Sequence, residues 1–579
     1  MNIWEWVVVI LLNGSIVGYG LYLGHGGQSS GQWFLADRKL PWWLLGLSMY
    51  ATAIDAADLV ADSGATYQMG FSFFVGSWVG AACGWALAGF FILVPMYRMG
   101  MYTNAEYLES RFGTGARITS VLVQLQFRTL IMGMMSVSIF RILSVVCGWD
   151  GLAWSAVVMV AALASVYAAV GGMKSVTITD ALQVVVMSTA ALLIWLTIWG
   201  AVGGWEGLQE RLEDAQPGLE TEMLHIGRDN IDREDAGTLS SEQIQGRLLL
   251  GGEYDPDKRI IVRRTPFWIF SFSMILIGMS YAVVNNTQVM RMLSARSLWD
   301  LRMSGVAASA TMLVMSFFML TIGVMGRALY PDQLLLPDHS QDSIYPLLIS
   351  QFATGWLKPI AVAGLLAAAF STYDSIGSTI SALLTRDFYG RLLVRDATDQ
   401  HYRRVGQWLT PVVIGTSFLY ITALLSGGMV VFYLEITSAF VIPLFTLYIM
   451  GVFTRVHRRT GVIGLLVGSS YGGLRLLAPL IAENYHIQIL PAFLLNKYGA
   501  YLYSFAITSV AMLVASLVLG WASSGQLLHQ AQAGWLRTSQ LQLGVDREVD
   551  HSRFQQILPV LLTIGVVTAS LILSYVVFW

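Results

Sequence analysis

The sequence predicts an all-α integral membrane protein of about fourteen transmembrane helices. Three observations carry that reading. Of 579 residues, 55% are hydrophobic and only 12% are charged, whereas a soluble domain carries about 25% charged residues. Mean hydropathy is +0.61. The apolar residues fall in runs of about 20, the helix length that crosses a hydrocarbon core. The lipid bilayer is therefore the expected surrounding, and a net charge of −2 leaves no basic field for a nucleic-acid partner.

The chain opens Met1-Asn2-Ile3-Trp4-Glu5-Trp6, without a basic leader segment or a small-residue cleavage site, and stays apolar to Leu23. It reads as an uncleaved first span. The hydropathy pattern places spans at roughly 4–24, 41–61, 71–96, 118–147, 151–171, 176–202, 267–290, 303–330, 357–384, 405–426, 429–454, 461–482, 499–522 and 556–578. Lys and Arg accumulate in alternate connections: Arg38-Lys39, Arg98 to Arg117, Lys174, Arg291 to Arg302, Arg386 to Arg404 and Arg455 to Arg459. These connections are expected in the cytoplasm, with both termini outside. The long polar segment 203–266 is exempt from the charge rule and reads as an external polar loop forming a domain or lid. Asn13-Gly14-Ser15 and Asn285-Asn286-Thr287 fall within spans, so no glycosylation sequon lies in an external loop, which leans towards a bacterial inner membrane. Cys83 and Cys147 lie in apolar stretches and read as small buried hydrophobes.

Energy-coupling chemistry is bounded by what is missing. Gly171-Gly172-Met173-Lys174-Ser175 lacks the adjacent Gly-Lys of a phosphate-binding loop. No His-Glu-x-x-His, Cys/His ligand spacing or Gly-x-Ser-x-Gly elbow occurs, so neither a primary pump nor an enzyme is expected. A channel or an ion-gradient transporter remains.

Polar groups at membrane depth are costly and mark a pathway. In the second span Asp55, Asp58 and Asp62 recur at i, i+3, i+7 and form an acidic stripe, with Asp62 read as a solvated outer helix end. The seventh span holds Gly278, Tyr281, Asn285, Asn286 and Gln288, a composition that permits unwound backbone beside a cavity. Spans two and seven stand five apart and enter from opposite sides, as two inverted five-helix repeats led by broken helices require. The ninth span starts at Pro359 and carries Ala368, Ser371, Thr372 and Ser375 on one small, oxygen-rich face. Ser371 lies roughly 18 Å below Pro359, near mid-bilayer. Hydroxyls there plus carbonyls from an unwound helix suit a monovalent alkali ion. Arg128 is a further charge inside the fourth span, to be paired with Asp180 or a second-span aspartate, or to hold a substrate carboxylate through its fork.

Three ordered motifs resemble the sodium:solute symporter family, over residues 30 to 480 or so. Ala367 to Tyr389, with Ser371-Thr372, Asp374-Ser375, Ser378 and Thr385-Arg386-Asp387-Phe388-Tyr389, is similar to the family's Ser-Ser-x-x-Ser signature ending in Asp-x-Tyr. Tyr167 to Gly172 followed by Thr179-Asp180-Ala181-Leu182-Gln183 resembles its Gly-Gly…Thr-Asp-x-x-Gln segment. Gly100-Met101-Tyr102-Thr103, Glu106-Tyr107 and Arg111-Phe112 match a third.

The resemblance implies a ten-helix inverted-repeat core of the LeuT type, with one span before it and three after. The chain then divides into a first span (1–30), a first repeat (31–203), the external polar loop (204–266), a second repeat (267–456) and three C-terminal spans with a cytoplasmic loop (457–579). It also implies Na+ as coupling ion, held by the carbonyls of Ala51 and Ile54 with Ala368, Ser371 and Thr372. Asp180 would stand beside it, and Ser375 with Asp374 would offer a second cation position. Tyr281 falls at the inner-gate position of sugar-transporting relatives, and Asn285-Asn286 resembles their Asn-Gln pair. Asp58 and Asp55 replace their glutamine and serine, and their second-helix glutamate falls near Ser77, a departure from sugar sites. The expected activity is sodium-coupled import of a small polar solute, an amino acid, amine, carboxylate or sugar, by alternating access. Proton coupling through Asp55, Asp58 or Asp180 is the nearest alternative. A transporter-like sensor is the other, for which 523–555 is too short to supply a signalling domain. No obligate protein partner is evident.

Overall fold

The computed structural model describes residues 1–24, 30–149, 151–237, 239–333, 336, 340–427, 429–522 and 553–579. The cytoplasmic loop expected within 523–555 lies largely outside them. Among the described residues, twelve helices are each long and apolar enough to cross a membrane. They are α1 (Ile3–Gly24), α4 (Gly76–Arg98), α6 (Thr114–Val145), α7 (Ala153–Val202), α8 (Phe267–Val284), α10 (Leu298–Leu329), α11 (Leu357–Leu393), α12 (Asp399–Leu425), α13 (Met429–Phe453), α14 (Thr460–Tyr485), α15 (Gly499–Leu519) and α16 (Phe554–Val577). A bent pair, α2 (Trp42–Ala53) and α3 (Asp58–Phe73), meets at 58° and makes a thirteenth crossing. Two shorter helices, α5 (Asn104–Phe112) and α9 (Asn286–Leu293), complete the set used below.

The expected count of fourteen is reached because α7 is two crossings. At 1.5 Å per residue, its 50 residues would run about 75 Å, more than twice a hydrocarbon core of about 30 Å. The backbone leaves the helical region at Gly172 (φ 65°, ψ 177°), a conformation that a side chain disfavours. The Tyr167 and Thr179 hydroxyls, which a straight helix would hold about 18 Å apart, are hydrogen-bonded to each other. The chain therefore reverses between them, and α1 packs on the turn, with Ser175 donating to the Gly20 carbonyl (2.6 Å).

Burial grades outward from α11, which is enclosed almost throughout, to α15 and α16, whose Leu517, Val518 and Val576 side chains face outward. Outward apolar side chains are what lipid solvates, so the core is made by close backbone contact between helices instead. Gly278 of α8 shows this. A Cβ there would lie 2.3 Å from the Gly76 carbonyl oxygen of α4.

Segment 204–266, expected as a polar loop, is folded. It carries an antiparallel sheet in the order β1 (Asn230–Asp235), β3 (Ile260–Thr265), β2 (Glu253–Asp255). It is tied to the C-terminal spans by ion pairs of Arg247 with Glu483 (2.5 Å) and Lys497 with Asp232 (2.8 Å). The Ile226 amide donates to the Phe578 carbonyl (2.6 Å), and the Phe578 ring meets Phe71 edge-on.

Candidate functional site

Both expected helix breaks are present, and an Asx residue caps the second half of each. In α2–α3, Ile54 is extended (φ −124°, ψ 104°). Asp55 Oδ1 accepts the amides of Ala57 (2.7 Å) and Asp58 (3.2 Å), while Asp58 Oδ2 accepts the amide of Asp55 (2.8 Å). This is a reciprocal capping box. In a continuing helix the Asp55 amide would bond the Ala51 carbonyl, and the Asp58 amide the Ile54 carbonyl. The box takes both amides, so both carbonyls are released from the helix. In α8–α9 the break is at Asn285 (φ −64°, ψ 102°), whose side chain accepts the Thr287 amide (3.0 Å).

Opposite the first break lies α11. Ala368, Ser371 and Thr372 are fully buried there. Ser371 Oγ stands 3.4 Å from the Ala51 carbonyl oxygen and donates to Asp180 Oδ1 (2.6 Å). The Thr372 hydroxyl is buried without a hydrogen-bond partner. A buried hydroxyl left unsatisfied beside two released carbonyls fits a desolvated monovalent cation.

The partner of Asp180 is neither Lys174 nor Arg128. It is Arg291, counted in the sequence among the loop cations but fully buried here. Its Nη2 pairs with Asp180 Oδ2 (2.9 Å), its Nε donates to Ser48 Oγ (2.7 Å) and its Nη1 to the Thr287 carbonyl (3.0 Å). Nη2 also bonds Ser375 Oγ. Ser375, expected at a second cation position, thus gives its hydroxyl oxygen to this guanidinium. Ser48 completes the cluster by donating to Asp180 Oδ2 (2.5 Å).

A cavity runs along the α3 side of the break. Asp55, Asp58, Asp62, Ser77, Arg128 and Tyr281 line it, together with Trp85 and Tyr433. Asp62, expected at a solvated helix end, is half-buried in this wall. Tyr281, in the same wall, donates to the Thr52 carbonyl (2.9 Å). Asn285 and Asn286 are absent from this lining. Asn285 caps α9, while the Asn286 side chain reaches Met290 Sδ (3.2 Å) and its amide donates to Gln124 (2.9 Å). Asn285 Oδ1 and the Asn286 side chain thus serve the break, while Asn285 Nδ2 is buried without a hydrogen-bond partner.

The family model described as "Sodium:solute symporter family" matches residues 33–468. The chain belongs to the sodium:solute symporter family. It is accordingly a sodium-coupled symporter and not an enzyme, and its multi-pass membrane character follows. Curated relatives include the sodium/glucose cotransporter 4 of Danio rerio, 27% identical over 471 residues, covering 77% of this chain and 67% of that protein. Another is the sodium/myo-inositol cotransporter 2 of Oryctolagus cuniculus, 26% identical, covering 78% and 66% respectively. The chain thus spans about two thirds of their length. Among solved structures, a Na+-coupled sialic acid symporter aligns with TM-score 0.69 at 18% identity, over 90% of this chain and 99% of that one. A transporter of the nucleobase-cation-symport-1 family aligns at 0.51 and 11% identity, over 88% and 100%. These two likenesses establish the LeuT-type fold.

The symporter's third motif also has a spatial meaning. Thr103 and Arg117 both bond Asp387 of the first motif (2.9 and 2.7 Å), and Glu109 bridges Arg117 to Arg391. Arg117, Ser48 and Arg291 were missed as site residues because they carry no local pattern. Only their burial in the folded chain distinguishes them from other serines and arginines.

Proposed function

We propose that sodium binds between α2 and α11, on the carbonyls of Ala51 and Ile54 and the oxygens of Ala368, Ser371 and Thr372, with Asp180 holding Ser371 in position. The observation that carries this reading is the release of the two carbonyls opposite the unsatisfied Thr372 hydroxyl. A bound cation bridges the broken helix to α11 and favours the form in which the cavity is open to the outside. The solute then occupies that cavity beside Tyr281. Closure carries both inward, driven by the sodium gradient and a membrane potential worth about 2.3 kcal/mol per charge per 100 mV. The repeats are 31–203 and 267–456. The Arg-rich connections face the cytoplasm of a bacterial inner membrane, and both termini face outside.

Arg291 supports a single coupling ion, because its guanidinium occupies the position a second cation would need. It also argues against proton coupling at Asp180, whose charge is already matched. The test is sodium-induced thermal stabilisation of the purified protein together with uptake into proteoliposomes. Ser371→Ala/Thr372→Ala is expected to weaken both by at least tenfold, with a wild-type Hill coefficient for sodium of one. Uptake that persists when choline replaces sodium at fixed pH would sink the assignment.

A further inference from the structure

Resting on that reading, the cavity wall also identifies the class of solute. Arg128 is buried, forms no ion pair among the described residues, and has two side-chain nitrogens, Nε and Nη2, without a hydrogen-bond partner. It lines the same cavity as Asp58 and Asp62. Asp55 is committed to capping, and Asp58 gives one oxygen to it. Asp62 is half-buried, and its carboxylate accepts no hydrogen bond among the described residues. The wall thus offers one unpaired guanidinium fork and carboxylate oxygens.

The remaining lining is apolar, with Ile131, Met134, Met274, Ile277, Met312 and Leu434 among its residues. A hexose or cyclitol brings about five hydroxyls, each of which costs free energy when buried without a partner. Of the hydroxyl groups in the wall, Thr52 donates to the Ser48 carbonyl and Tyr281 to that of Thr52, while Ser77, Tyr433 and the indole N–H of Trp85 also line it. A polyol can use these groups but leaves the Arg128 guanidinium without a charge to pair with. An apolar body with one carboxylate and one ammonium matches it group for group, since an unpaired buried arginine binds carboxylate through two parallel bonds.

We infer that the symporter takes a zwitterion of amino-acid type with an apolar side chain, its carboxylate on Arg128 and its ammonium towards Asp58 and Asp62. The experiment loads full-length protein into liposomes with an inward sodium gradient and offers labelled leucine, valine and methionine. Isopentylamine, 4-methylpentanoate, glucose and myo-inositol serve as competitors. Sodium-driven accumulation of the amino acids is expected. The amine and the acid should each compete at least tenfold more weakly than an unlabelled amino acid, and the sugars not at all. Arg128→Gln should abolish accumulation while the sodium-induced rise in melting temperature persists, showing that its fold and sodium site are intact. No accumulation of the amino acids, competition by a sugar, the amine or the acid equal to that of an unlabelled amino acid, or unchanged transport by Arg128→Gln overturns the solute assignment and leaves the sodium site standing. Absence of a sodium-induced melting shift in the wild type overturns the sodium reading beneath it.

Discussion

Glu106 sits in α5, outside the spans, and its Oε2 accepts the Tyr102 amide (3.1 Å) while Oε1 has no hydrogen-bond partner. Burial first, then the nearby Asp387 carboxylate, push its carboxyl up to about 7 against the pull of Arg117. Between about pH 4.3, the ordinary glutamate value, and that raised value, the native protein keeps a proton the unfolded chain has lost. The stability this contributes is full below about pH 4.3 and is lost as pH rises through about 7. Melting temperature should therefore fall between pH 5 and 8, and Glu106→Gln should flatten that part of the profile. A variant that keeps the wild-type slope would assign the titration elsewhere. Residues such as Glu106 and Arg291 show where reading the chain stops short. A helix pattern gives which face is small or polar, but whether an arginine ends in water or in the core depends on a partner more than a hundred positions away, as Asp180 is from Arg291.

At the scale of elements, the break between α2 and α3 is made by side chains. Asp55 and Asp58 hold the amides that would otherwise restore the helix over Ala51 and Ile54. Removing such a cap costs about 1 kcal/mol, and here the loss falls on the ion site as well as on the helix. Asp55→Ala should lower sodium affinity roughly fivefold or more, whereas Asp55→Asn, which still accepts amide hydrogens, should keep most of it. Equal affinity in all three proteins, measured by sodium-induced melting shifts, would mean that the backbone stays broken without the box. The i, i+3 spacing of the two aspartates made them visible in the sequence as an acidic stripe. Their capping role was hidden, because the same spacing serves a solvated helix face equally well. Likewise Asn285-Asn286 marked the second break, yet both stand outside the cavity lining.

For the whole molecule, the span count, the broken helices and the small face of α11 were legible because lipid imposes length and apolarity on every crossing. The sheet within 204–266 was not, since three short strands amid charged residues give weak periodicity. Its docking rests on polar contacts. Burial raises the Asp232 carboxyl, but Lys497 at 2.8 Å overcomes this and holds it below the usual carboxylate range. A depressed carboxyl contributes stability above its unfolded value of about 3.9 that is lost only as pH falls below it. Protease resistance of this segment should thus hold at pH 5 and fail below about pH 4. Asp232→Asn should raise cleavage roughly fivefold at neutral pH, equivalent to about 1 kcal/mol for a partly exposed pair. Cleavage that follows neither pH nor the substitution would shift the docking energy to the Phe578 contacts.

The reversal at Gly172 bears on how the chain is made. The two halves of α7 are separated by a turn too short to keep one half in water while the other enters the bilayer, and Lys174 is the charge exposed at its tip. Lysine is strongly disfavoured at mid-bilayer. The halves must therefore leave the insertion machinery as one hairpin, with the Lys174 tip kept out of the hydrocarbon. Asp180, on the second half, reaches membrane depth before Arg291 has been synthesised. During that interval the aspartate is without its mature counter-charge, and among its mature partners only Ser48 of α2 has already been made.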